Sequence, residues 1–92
     1  MTEQRFKSAF DAIADTPQEA MNMKLRSQLM DKIRDRVETE GWNQTQAAKR
    51  LGVTQPRISD LYRGKLSQFS MDMLVNMLAA LGDEVELTIK VA

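Results

Sequence analysis

The chain has 92 residues, 42% hydrophobic and 28% charged, with 13 basic and 13 acidic side chains and neither cysteine nor histidine. That length buries one modest core, which a second copy could complete. The composition excludes disulfides and thiolate metal sites and removes the commonest general base, nucleophile and zinc ligands. No catalytic residue, metal site or cofactor is therefore expected, and the chain is read as a binding protein rather than an enzyme. The apolar runs are far shorter than the ~20 residues of a membrane span. With the acid Glu3 near its start, the N-terminus lacks the pattern of a secretory signal, so the expected location is the cytoplasm.

Residues 1–16 read as an arm or short helix, since Phe6, Ala9, Phe10 and Ile13 have helical spacing over a short stretch. Thr16-Pro17-Gln18-Glu19 is a helix start, with Thr16 as cap, Pro17 at the first helical position and Glu19 closing a capping box. Met21, Leu25, Leu29, Ile33 and Val37, with Met30 beside them, predict one apolar stripe on a long helix ending at Gly41. Asn43 caps a second, short helix, with Gln46 reaching back to it and Trp42 stapling onto Ala47, and Gly52 stops it. Thr54 caps a third, with Pro56 in its first turn and Val53 stapling onto Ile58; this helix runs to about Arg63 and ends at Gly64. After a linker through Ser67, Phe69-Ser70-Met71-Asp72 opens a fourth helix. Its buried stripe is Leu74, Met77, Leu78 and Leu81, and Gly82 ends it. The tail, Glu84-Val85-Glu86-Leu87-Thr88-Ile89-Lys90-Val91, alternates polar and apolar residues and predicts a half-buried strand with no partner of its own. The seven methionines sit mostly at core spacing and read as gap-fillers.

The formal net charge is zero, but it is unevenly distributed. Residues 43–65 hold Lys49, Arg50, Arg57, Arg63 and Lys65 against Asp60 alone, while the flanking segments are net acidic. A basic segment in an acidic chain is the footprint of phosphate binding. The same segment has two short capped helices joined by Gly52-Val53-Thr54, the spacing of a helix-turn-helix. Ala48 is small where the helices must approach, and Gly52 can take the positive φ of the turn. Ile58 and Leu61 turn one face of the third helix to the core, leaving Gln55, Arg57, Ser59, Asp60 and Arg63 polar. The other helices place Glu19, Gln46 or Asp72 in their first turn, whereas the third places Arg57 there. A cation at the positive end of a helix dipole costs ~0.3–1 kcal/mol, an arrangement that makes sense if an anion arrives.

The run from Asn43 to Lys65, NQTQAAKRLGVTQPRISDLYRGK, resembles the Xre family of phage-repressor and Cro-like regulators. The segments RGKLSQFSMDML and LAALG after it, and FDAIADTP before it, resemble the HigA-type antitoxin branch. The resemblance, over roughly residues 10–90, implies an all-α, lambda-repressor-like domain of four to five helices over residues 17–82, followed by the C-terminal strand at 83–92. It implies a cytoplasmic repressor, the antitoxin of a type II module that represses its own operon and neutralises a RelE/HigB-like ribonuclease. A solitary Xre regulator without a toxin is the alternative, and a protein-interaction module without DNA binding is a second. By the same resemblance, Gln44 holds a phosphate, Thr54, Gln55 and Arg57 meet bases or flanking phosphates, and Ser59 and Asp60 lie along the groove side. Arg63 and Lys65 grip the backbone beyond the helix. Pro56 departs from the common polar choice and leaves direct readout to Gln55 and Arg57, which pair naturally with adenine and guanine. Such proteins bind pseudo-palindromic operators as two-fold dimers. Two tails laid antiparallel about Leu87 would face Val85 with Ile89 and Glu84 with Lys90, so the expected dimer seam is Val85, Leu87, Ile89 and Val91; pairing with another segment of the same chain, such as the N-terminal residues, is the alternative.

Overall fold

The computed structural model describes residues 14–92, so the reading of Phe6, Ala9, Phe10 and Ile13 lies outside the described residues. Helix α1 begins where its start signal predicts. Thr16 is extended, its hydroxyl accepts from the Glu19 N–H at 3.1 Å, and the helix spans Pro17–Glu40. The Glu19 carboxylate accepts from the Asp15 N–H at 3.0 Å, one residue before the position a closed capping box requires. Gly41, at φ 69°, ends the helix and returns its N–H to Glu38 and Val37 carbonyls.

The predicted stripe on α1 divides in two. Met30, Ile33 and Val37 are buried, but Met21 is 66% exposed and Leu25 is also open to solvent. The physical reason is length: α1 has 24 residues, and the three following helices are much shorter, so they cover only its C-terminal half and middle. Helices α2 (Gln44–Leu51), α3 (Gln55–Tyr62) and α4 (Met71–Ala80) pack there. They contribute Ala47, Ala48 and Leu51, then Ile58 and Leu61, then Leu74, Met77 and Leu78 to one core, which Phe69 completes. The Ser70 hydroxyl caps α4 by accepting from the Met73 N–H at 3.2 Å.

The linker before α4 is more ordered than its sequence suggested. Leu66–Gln68 form a short 3-10 turn, and Arg26 of α1 binds both of its ends. Its Nη1 donates to the Leu66 carbonyl at 2.9 Å and the Phe69 carbonyl at 3.0 Å, while Nε donates to Asn22 Oδ1. This arginine fixes the segment that follows α3 against the longest helix.

Among the described residues the all-α prediction holds, with four α-helices, but the C-terminal strand does not. Among the described residues there is no strand, and residues 84–92 are exposed, with Leu87 and Ile89 about three-quarters accessible. Alternation marks which side chains could share a face, but a strand also needs a neighbour to take up its N–H and C=O groups. The described residues supply none. What is fixed is the root of the tail: Arg36 Nη1 donates to both carboxylate oxygens of Asp83, at 2.7 and 2.8 Å, and Arg36 Nε donates to Glu40. These bonds hold the Arg36 guanidinium proton above its ordinary value, the Asp83 hydrogen bond being the largest cause.

Candidate nucleic-acid interface

The two short helices meet through a turn that only certain residues permit. Asn43 Oδ1 accepts from the Gln46 N–H at 2.8 Å, and the Gln46 side chain accepts from the Asn43 N–H at 3.0 Å, a closed capping box. Gly52 then takes φ 70°, and Val53 N–H returns to the Ala48 carbonyl at 3.0 Å. A Cβ at Gly52 would touch nothing within 4 Å, so glycine is needed there for its backbone angle and not for space.

The start of α3 differs from expectation. Thr54 has the extended backbone of a cap, yet its side chain makes no capping bond. Its carbonyl accepts instead from both Arg57 N–H (3.1 Å) and Ile58 N–H (3.3 Å), and Pro56 has no N–H to satisfy. The first turn is thus closed by backbone, and the Thr54 hydroxyl is left out of that closure.

The residues expected to touch nucleic acid fall into two groups. Gln44, Thr54, Gln55, Pro56, Arg63 and Lys65 are exposed. Gln55 lies beside the start of α2, where Thr45 Oγ1 is 3.5 Å from Gln55 Oε1. This contact puts the beginnings of α2 and α3 on one side of the molecule. Arg57, Ser59 and Asp60 are half-buried. The Asp60 carboxylate stands between two cations, 3.7 Å from Arg57 Nη1 and 3.8 Å from Lys65 Nζ, so the one acid on this face is offset.

Arg57 is not the free cation its sequence position suggested. Its Nη1 donates to the Gln68 carbonyl and to Gln68 Oε1, both at 3.1 Å, and its guanidinium lies 5.8 Å from the centre of the buried Phe69 ring. Gln68 and Phe69 were missed by sequence reasoning, because the contact joins residues 11 apart across a non-helical turn and no periodic pattern reports it. Elsewhere on the motif Arg50 stacks over Trp42 at 5.6 Å.

Chemically, the face offers amide donors and acceptors from Gln44 and Gln55, hydroxyls from Thr54 and Ser59, and cations at Arg57, Arg63 and Lys65. Among the described residues no cluster of acids could hold a metal ion, and no helix is long and apolar enough to cross a membrane. No curated protein matches the chain. A family described as a helix-turn-helix domain matches residues 12–90, which span α1 to α4 and most of the tail. With its two short helices joined through Gly52 and its polar third helix, the chain belongs to this helix-turn-helix domain family.

Proposed function

We propose that the protein is a sequence-specific DNA-binding repressor that lays α3 in the major groove. The observation that carries this reading is the exposed Gln55 at the start of α3, beside Thr45 in the first turn of α2 and on the helix that Arg63 and Lys65 follow. A helix fits the major groove, amides and arginines read base edges there, and cations beyond the helix end reach the phosphates. In this reading Gln55 and Arg57 read bases or their flanking phosphates, with Ser59 and Asp60 further along the groove. Gln44, Thr54, Arg63 and Lys65 grip the backbone, and Pro56 supplies shape.

A single such face covers few base pairs, so the working unit is a homodimer on a pseudo-palindrome, its half-sites about 34 Å apart or a multiple of that. The supporting observation is the tail, where Val85, Leu87, Ile89 and Val91 are all exposed on one alternating register. Antiparallel pairing about Leu87 would give them partners and set Glu84 against Lys90. The resemblance to HigA-type proteins extends the reading to a cytoplasmic antitoxin that represses its own operon and neutralises a RelE/HigB-like ribonuclease. A protein partner is also favoured by exposed Met21 and Leu25 on α1.

Selection from a random duplex pool tests the function. The expected result is enrichment of one inverted repeat, bound at least about a thousandfold more tightly than bulk DNA at physiological salt. A pool that stays unenriched refutes DNA-sequence recognition. Co-expression with a RelE/HigB-like ribonuclease encoded beside it tests the antitoxin reading, which predicts a stable complex and restored growth.

A further inference from the structure

The sequence presented Arg57 as a cation at the start of α3, and the structure shows it held by only one corner. Among the described residues its polar contacts all fall on one nitrogen: Nη1 donates to the backbone oxygen and to Oε1 of Gln68, and Asp60 Oδ2 lies nearest the same atom. The guanidinium is further fixed over Phe69, which is 1% exposed and cannot move without opening the core. A guanidinium has five N–H donors in a rigid planar fork. With Nη1 occupied, the Nε–H and one Nη2–H remain as a parallel pair along another edge, and neither atom has a hydrogen-bond partner among the described residues. The side chain is 32% exposed, so part of it faces solvent.

We infer that Gln68 is a positioning residue for nucleic-acid contact: it pins one corner of Arg57 so that the Nε–Nη2 edge is presented, already oriented, to a ligand with two adjacent acceptors. A guanine edge (O6 and N7) and a backbone phosphate both have that chemistry. The inference rests on the DNA-binding function proposed above. It adds to that function a residue outside the helix-turn-helix, on a turn that Arg26 fixes to α1. A free arginine must lose rotamer freedom when it binds, whereas one already held loses little. Gln68 therefore contributes to affinity without touching DNA.

A double-mutant cycle on the full chain tests this, using the duplex enriched by selection and a random-sequence duplex of equal length. Gln68→Ala removes Oε1 while the Gln68 carbonyl and Phe69 still restrain the guanidinium, and is expected to weaken binding to the selected duplex about three- to fivefold, the effect of one partly loosened long side chain. The random duplex should change by less than about twofold if Arg57 meets guanine, and by the same factor as the selected duplex if it meets a phosphate, because phosphates are present on both. In an Arg57→Ala background the Gln68 change should have no further effect, and Gln68→Glu, which keeps an acceptor for Nη1, should retain the selected-to-random ratio. Additive losses in the cycle would show that Gln68 acts on its own and would overturn the inference. The ligand follows from Arg57→Ala: a loss confined to one G·C pair in each half-site identifies guanine, and a uniform loss with a salt slope smaller by about one identifies phosphate. A wild-type protein that selects no duplex refutes the function itself, whereas a selecting protein with an additive cycle refutes only the role of Gln68.

Discussion

Asn43 and Thr54 occupy equivalent positions before α2 and α3, and the sequence assigns both the same capping role; the structure separates them. The Asn43 side chain accepts the Gln46 N–H at 2.8 Å, whereas the Thr54 side chain accepts nothing. Asn43→Ala removes a working cap and should cost about 1 kcal/mol. In a domain of this size that lowers the melting temperature by roughly 4–8 °C. Thr54→Ala removes no bond from the fold and should stay within about 0.5 kcal/mol of wild type. The order reverses for DNA. A hydroxyl not used in capping is available to a phosphate, and losing one hydrogen bond of about 1 kcal/mol weakens binding roughly fivefold. Asn43→Ala should leave the affinity of the folded protein near wild type. Urea unfolding followed by circular dichroism, with titration of the selected duplex well below the melting temperature, measures both quantities. Equal destabilisation by the two substitutions would refute the reasoning, because it would mean that Thr54 caps α3 after all.

Ile33→Ala, at a fully buried position, should cost about 2–5 kcal/mol, while Met21→Ala on the same helical stripe should stay within about 0.5 kcal/mol; chemical denaturation distinguishes them. Removing residues 84–92 should halve the solution mass with little change in the melting of the remaining chain, because the tail's apolar side chains are outside the core; an intact dimer by sedimentation would reject the tail as the seam. Tyr62 is the only tyrosine, and its pKa is raised above 10, first by partial burial and then by the Glu38 carboxylate, with Arg34 opposing. The folded state therefore keeps that proton to higher pH than the unfolded chain, so Tyr62 makes stability fall as pH rises past about 10. Phenolate absorbance of the folded protein should accordingly titrate later than in urea, and coincident curves would contradict the shift.

Local chemistry by itself determined where the helices of this protein begin and end. Thr16, Asn43 and Ser70 cap, Pro17 starts α1, and Gly41 and Gly52 close α1 and α2, because caps and left-handed glycines act on backbone groups within a few residues. The polar face of α3 and the basic balance around it were equally visible, since both follow from side-chain identity at known helical spacing. Only the tertiary structure decided which half of the α1 stripe is covered, because that depends on the lengths and packing of three other helices. Only it showed that Arg26 secures the turn after α3 and that Gln68 and Phe69 hold Arg57, since contacts between residues 11 and 40 or more apart leave no periodic trace. The tail marks the same boundary from the other side. Its alternation is written in the sequence, but a strand exists only when a second backbone shares its hydrogen bonds, and the described residues of this chain provide none.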